Sequence, residues 1–238
     1  MNFADILLPA AAQAGFALSP RQREQFTRYY ELLIQWNEKM NLTAITQPQE
    51  VALKHMVDSL TAYDAAVFAD IPAVIDVGTG AGFPGVPLKI FLPELSLTLM
   101  DSLNKRLLFL QEVVDQLELS GVRIVHARAE DAGRDRQHRG KYGVALSRAV
   151  ARLNVLCELC LPLLQNGGYF VAMKGAQYRE ELQEADRALT LLGGKVEKVV
   201  PVELPGLEDK RAVIYVRKVR STPADYPRRA GLPEKKPL

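Results

Sequence analysis

Cysteine is nearly absent: the 238 residues hold two, spaced Cys157-x-x-Cys160, with no second pair and no histidine nearby. That excludes a disulfide framework, and a structural zinc site, which needs four ligands, cannot be closed by this pair. A redox dithiol is formally possible, but Leu153, Leu156, Cys157, Cys160, Leu161 and Leu164 recur at three-to-four spacing, the pattern of one buried helix face. Long apolar runs are lacking too. Nothing approaches the roughly 18 to 20 residues of a membrane span, and the N-terminal MNFADILLPAAAQAGF carries Asp5 and no basic leader, so a cytoplasmic protein is expected. A hydrophobic share of 48% with 24% charged residues excludes intrinsic disorder and a collagen-like chain. The length suggests one main domain with an appendage.

Net charge is small at +2, but it is unevenly placed. Residues 210–238 contain nine Lys/Arg against Asp225 and Glu234, net +7, leaving the first 209 residues at net −5. A basic block that includes Tyr226, Pro223, Pro227, Pro233 and Pro237 suits either a solvated tail or contact with a polyanion such as RNA. This tail, residues 221–238, is expected to be extended or docked by its own contacts.

Residues 1–70 read as a helical N-terminal cap. One helix spans about residues 3–14 and stops at Gly15; a second is announced by Ser19-Pro20 and presents Phe26, Tyr29, Leu33, Trp36 and Met40 on one face. A third begins after Pro48. From Ala73 the texture changes to short apolar strands alternating with amphipathic helices, which predicts an α/β, doubly wound, mostly parallel sheet over residues 71–220. The seven predicted strands are residues 73–77, 96–101, 122–126, 142–147, 168–174, 195–202 and 212–219.

The first strand, ending Val74-Ile75-Asp76-Val77, runs into Gly78-Thr79-Gly80-Ala81-Gly82-Phe83-Pro84-Gly85. Glycines at the carboxyl end of a strand let a ligand press against bare backbone, so this is a cofactor loop. Two cofactor classes compete. Gly80, Gly82 and Gly85 satisfy the G-x-G-x-x-G of dinucleotide binding, whereas Asp76 two residues before Gly78 gives the D-x-G-x-G-x-G form typical of S-adenosylmethionine sites. An acid there attracts the cationic amino-acid end of that cofactor, directly or through water, and repels a pyrophosphate, so the methyl donor fits better. Asp101, ending the second strand, is placed to accept from ribose hydroxyls of either cofactor. Ala129-Glu130 after the third strand could read adenine with an amide and a carboxylate, or be no more than a first-turn helix acid. A methyltransferase on structured RNA, an NAD-dependent oxidoreductase and a non-catalytic RNA-binding protein all remain open on these residues.

Six separated motifs narrow the choice. Trp36-Asn37-x-x-x-Asn41-Leu42-Thr43, His55-x-x-Asp58-Ser59-Leu60, the Asp76–Gly85 loop, Asp101-Ser102-x-x-Lys105-Arg106, Ser147-Arg148-Ala149-Val150 and Tyr226-Pro227-Arg228 resemble the bacterial RsmG (GidB) family. That family methylates guanine N7 in 16S ribosomal RNA of the small subunit. The resemblance implies a Rossmann-like class I methyltransferase fold, S-adenosyl-L-methionine as cofactor and 16S rRNA as partner. It also implies cofactor contacts at Gly78, Phe83, Ala129, Glu130 and Arg148, which join Asp76, Gly80 and Asp101. Gly143, beside Tyr142, departs from the family, which commonly has an acid there.

Guanine N7 carries an in-plane lone pair and no proton, so direct in-line transfer needs positioning and no general base; no metal is expected. Arg148 is the candidate for positioning, toward the cofactor carboxylate or guanine O6, with an ion pair to a nearby acid as the alternative. Lys174 is a candidate for backbone phosphate, and Lys105, Arg106, Arg228 and Arg229 for RNA. His55 and Asp58, one turn apart, are placed so that a hydrogen-bonded pair is available, but RNA contact or a structural link between cap and sheet is the favoured reading. Trp36 is expected in the core rather than as a stacking platform, and the absence of exposed heptads suggests a monomer.

Overall fold

The computed structural model describes residues 2–70, 73–204, 206–207 and 210–238. The predicted boundary between cap and sheet domain, at 70/71, falls beside residues outside those described. The cap comprises α1 (Phe3–Gln13), α2 (Pro20–Met40), α3 (Pro48–Val51), a π-helical turn Ala52–Val57 and α4 (Asp58–Leu60). Ser19 starts α2 through a reciprocal box: its hydroxyl accepts the Gln22 N–H and the Gln22 side chain accepts the Ser19 N–H. Gln22 then donates to the Ile90 and Phe91 carbonyls, satisfying the orphan acceptors at the end of a helix in the sheet domain.

The sheet has seven strands in the order β3-β2-β1-β4-β5-β7-β6. They are β1 (Ala73–Val77), β2 (Ser96–Asp101), β3 (Val122–His126), β4 (Tyr142–Arg148), β5 (Leu164–Lys174), β6 (Gly194–Val202) and β7 (Arg211–Lys218). Pairs among β1 to β5 are parallel, while β7 runs antiparallel to both β5 and β6. The period of two along each strand sorts side chains onto two faces. Val74, Leu97, Leu99, Val144, Leu146, Val171, Val213 and Tyr215 join one cluster with Phe26, Tyr29 and Leu33 of the cap, together with α5 (Gly85–Phe91) and α6 (Asn104–Gln116). Ile75, Ala145, Phe170, Ala172, Ile214 and Val216 share the other cluster with α7 (Ala129–Ala132), α8 (Leu153–Cys160), α9 (Tyr178–Glu184) and α10 (Asp186–Leu192). The cap thus shares one continuous core with a face of the sheet.

Both cysteines are free and fully buried on α8, and burial pushes the Cys157 thiol up to about 12, which suits core residues and not a redox pair. Trp36 packs against Phe109 and donates to Glu112, away from any stacking role. Gly143 sits buried at a register shift of β4, where its carbonyl lies 2.7 Å from where a Cβ on Gly168 would stand. It belongs to strand packing and lies outside both cavities described below.

The tail is docked. Arg228 grips Glu158 of α8 with three side-chain bonds of 2.6–3.1 Å and its backbone N–H at 2.7 Å. Arg139 donates to the carbonyls of Thr222, Pro223 and Tyr226, and Arg134 to that of Pro227. Arg228, expected at RNA, is thus committed to a carboxylate that is 1% exposed. Arg229 next to it is exposed.

Candidate active site

Three loops at the carboxyl ends of β1, β2 and β3 enclose a cavity of about 520 Å³, within the range of small-molecule sites. Gly78, Gly80 and Phe83 line it from the glycine loop, Asp101 and Arg106 from the second loop, Ala129 and Glu130 from the third, and Arg148 from the end of β4. Seven of the eight residues expected at the cofactor are thus brought together.

Asp76 is the exception. It is 0% exposed, and its Oδ2 accepts the Thr79 hydroxyl at 2.7 Å and the Gly85 N–H at 2.9 Å, pinning the two ends of the glycine loop. It does not line the cavity, and what its geometry shows is a structural hold on the loop through Oδ2, while its buried Oδ1 has no partner among the described residues. Burial is the leading reason its pKa rises to about 6, only partly offset by those two hydrogen bonds. A Cβ on Gly85 would stand 2.7 Å from this carboxylate, which explains the glycine there.

Gly80 (φ +61°) shows nothing within 4 Å of a would-be Cβ, and its N–H donates to Asp101 Oδ2 at 2.9 Å. The same carboxylate takes Leu103 N–H on Oδ1 and Arg106 on Oδ2. Arg106, expected at RNA, is thus turned back to Asp101, whereas Lys105 is exposed. Glu130 Oε1 accepts the Gly231 N–H at 2.7 Å, so the tail braces the wall formed by α7 (Ala129–Ala132).

The cap closes the other side. Tyr29 is fully buried and donates to the Ala81 carbonyl at 2.5 Å, and Phe83 lies between Tyr29, His55 and Arg148 at 5.3, 4.6 and 5.0 Å between ring centres or from ring centre to guanidinium. No hydrogen bond joins His55 to Asp58; instead they form a link between cap and sheet. Both meet Arg148: Nη1 donates to Asp58 Oδ2 and the Lys54 carbonyl at 2.9 Å, and Nη2 lies 3.3 Å from His55 Nδ1. The alternative reading of Arg148 as one half of an ion pair is the one its geometry satisfies, while part of the side chain still lines the cavity. Burial, then the Arg148 charge, lowers the His55 pKa to about 4, so this imidazole is neutral near pH 7; Thr43 Oγ1 lies 2.8 Å from its Nε2.

Lys174 also departs from its expected role at backbone phosphate. Its side chain is 7% exposed, paired with Glu181 at 2.7 Å and bonded to the Ala151 carbonyl. Leu42, Thr43 and Arg128, none proposed from sequence, line the cavity as well. So does Ala149, whose φ of +56° is uncommon for a residue with a Cβ. Leu42 and Thr43 carried a signal within the Asn41-Leu42-Thr43 motif, and Ala149 within Ser147-Arg148-Ala149-Val150; Arg128 carried none. Among the described residues no group of three or more His, Cys, Asp or Glu could hold a metal, and no helix is long and apolar enough to cross a membrane.

The strand order, the glycine loop and the cavity at the strand ends are those of a Rossmann-like methyltransferase. Solved structures agree on the fold. A mutant 16S rRNA (adenine(1408)-N(1))-methyltransferase from Catenulisporales acidiphilia superposes with TM-score 0.51 at 15% identity over 68% of this chain and 94% of that one. A predicted O-methyltransferase from Agrobacterium tumefaciens gives 0.52 at 16% over 70% and 81%. Sequence comparison is more specific: residues 22–212 match the GidB family, described as rRNA small subunit methyltransferase G. Ribosomal RNA small subunit methyltransferase G of Desulforamulus reducens is 49% identical over 98% of this chain and 97% of its own, and that of Bacillus subtilis 47% over 95% of each. The chain belongs to the rRNA small subunit methyltransferase G family, an enzyme family of methyl transfer to small-subunit ribosomal RNA. The oxidoreductase and non-catalytic readings fall away.

Proposed function

We propose that the protein uses S-adenosyl-L-methionine to methylate N7 of a guanine in 16S rRNA of the small ribosomal subunit, acting as a cytoplasmic monomer. The observation that carries this reading is the cavity itself. Gly80 leaves open space where a Cβ would stand, and carboxylates of Asp101 and Glu130 lie on the walls beside it. This donor set suits an adenosyl group: Asp101 toward the ribose hydroxyls, and Ala129 with Glu130 toward adenine. Phe83 and Gly78 would flank the amino-acid end. When bound, the sulfonium supplies an electrophilic methyl group.

The chain's own task is orientation and exclusion of water. Guanine N7 has no proton to remove, and neutral His55, held between Thr43 and Arg148, keeps the cap closed over Phe83 without serving as a base. Arg148 acts as a positioning residue that ties the end of β4 to the cap. Exposed Arg128 lines the cavity, and exposed Lys105 and Arg229 supply further positive charge for the RNA backbone. Large exposed apolar side chains, Leu103, Leu108, Val150, Val200 and Val219, are scattered through the chain, which supports the monomer.

The test is transfer of labelled methyl from S-adenosylmethionine to small subunits lacking this modification, followed by nuclease digestion and mass identification. Label in 7-methylguanosine is the expected result; label in another nucleoside overturns the N7 assignment.

A further inference from the structure

A second cavity, of about 570 Å³, adjoins the first and shares His55, Arg148 and Ala149 with it as a common wall. It lies at the ends of β4 and β5, between the loop 174–177 and the cap. On the cap side the charges are closed on one another: Asp58 Oδ1 and Oδ2 take Arg211 and Arg148, and Lys54 is held by Glu50. The opposite side is different. Lys174 and Glu181 both face the cavity, with side chains only 7% and 11% exposed.

Every side-chain bond that Glu181 makes runs to Oε2, which takes the Leu153 N–H and Lys174, each at 2.7 Å. Lys174 directs its ammonium to Glu181 and to the Ala151 carbonyl. An ammonium has three protons and a carboxylate two oxygens, so one proton of Lys174 and Oε1 of Glu181 are left for a ligand. The pair therefore offers one donor beside one acceptor, in a cavity of nucleoside size whose far wall is the methyl-donor cavity.

We propose that this second cavity receives the acceptor base as a single unstacked guanine, and that the Lys174–Glu181 pair selects it. The proposal rests on the guanine reading above. Guanine presents the O6 acceptor next to the N1–H and 2-amino donors, matching Lys174 and Glu181 Oε1; adenine presents a donor and then an acceptor and meets both groups with the wrong sign. N7 lies across the purine from N1 and C2. With the Watson–Crick edge on Glu181, N7 faces the common wall, where the transferred methyl must come from. A base stacked in a helix could not enter, so the nucleotide is extruded.

The experiment compares wild type, Glu181→Gln and Lys174→Met on unmodified small subunits, and on subunits reconstituted with inosine, which lacks the 2-amino group, at the target position. For each variant, kcat/KM on guanine falls about ten- to a hundredfold. S-adenosylhomocysteine affinity stays within about twofold and the melting transition remains cooperative. Inosine slows the wild type but causes no further loss in Glu181→Gln, because the group that reads the amino proton is already gone. Equal sensitivity of wild type and Glu181→Gln to inosine, unchanged kcat/KM in both variants, or loss of S-adenosylhomocysteine affinity in step with activity overturns the proposal. Wild type that forms no 7-methylguanosine overturns the guanine reading itself; wild type that does, beside indifferent variants, overturns the pocket assignment alone.

Discussion

Arg228→Ala isolates the strongest contact between the C-terminal tail and the body. The substitution removes three side-chain hydrogen bonds from Glu158, a carboxylate 1% exposed on α8, and leaves it charged in the interior. Breaking such a pair from one side costs about 3–5 kcal/mol, because the remaining charge keeps its desolvation penalty without a partner. For a chain of this size about 2–4 °C of melting temperature accompany each kcal/mol, so a fall of about 6–20 °C is expected in thermal unfolding. Arg229→Ala, one residue on and exposed, shifts stability by no more than about 0.5 kcal/mol. The double change Arg228→Met with Glu158→Met recovers most of the loss, since it deletes both charges and refills the space with apolar atoms. An Arg228→Ala protein that melts within about 2 °C of wild type would refute the docking of the tail, and a double variant as weak as the single one would refute the buried charge as its cause.

The remaining expectations concern titration and reactivity. Asp76 keeps its proton to about pH 6 in the folded chain but only to about 3.8 when unfolded, so stability falls as pH rises between those values, by up to about 3 kcal/mol; in Asp76→Asn this fall is absent in denaturant titrations at pH 4 and 7. His55 has the opposite sign. Its folded pKa near 4 lies below the unfolded 6.5, so stability is lost as pH falls through that window, and the pH 6.5-to-4 loss is smaller by about 3 kcal/mol in His55→Gln; equal losses in the two proteins would contradict a buried neutral imidazole. Cys157 should resist thiol reagents until the chain unfolds, and labelling of the native protein at the rate of a free thiol would show that α8 is not packed as described.

Local chemistry made much of this legible from sequence. The short apolar runs of β1 to β5 and the Ser19-Pro20 start of α2 depend on neighbours along the chain, and the strands appear at the expected places, although β5 begins at Leu164, four residues before the expected start. The glycine loop and its acidic partner at Asp101 were readable for the same reason. What could not be read was how charges pair across long separations. Arg228 meets Glu158, Arg148 meets Asp58 and Lys174 meets Glu181 through tertiary folding, and each had been free to serve RNA or cofactor in the linear sequence. Asp76 shows the limit most clearly: its spacing to the glycines marks the site correctly, while only the fold reveals that the carboxylate turns inward to hold Thr79 and Gly85. The π-helical turn that carries His55 also left no mark in the apolar pattern of the cap.

The claim that the first cavity is the methyl-donor site is tested most directly by calorimetric titration of S-adenosylhomocysteine into wild type and Gly80→Asn. Gly80 is the position of choice because a Cβ there meets no protein atom within 4 Å and asparagine tolerates its left-handed backbone, so the fold survives while the side chain enters the cavity. One molecule bound per wild-type chain, with affinity at least about tenfold weaker in Gly80→Asn and a melting temperature nearly unchanged, is the predicted result. Equal affinity in the two proteins would place the cofactor elsewhere and contradict the account.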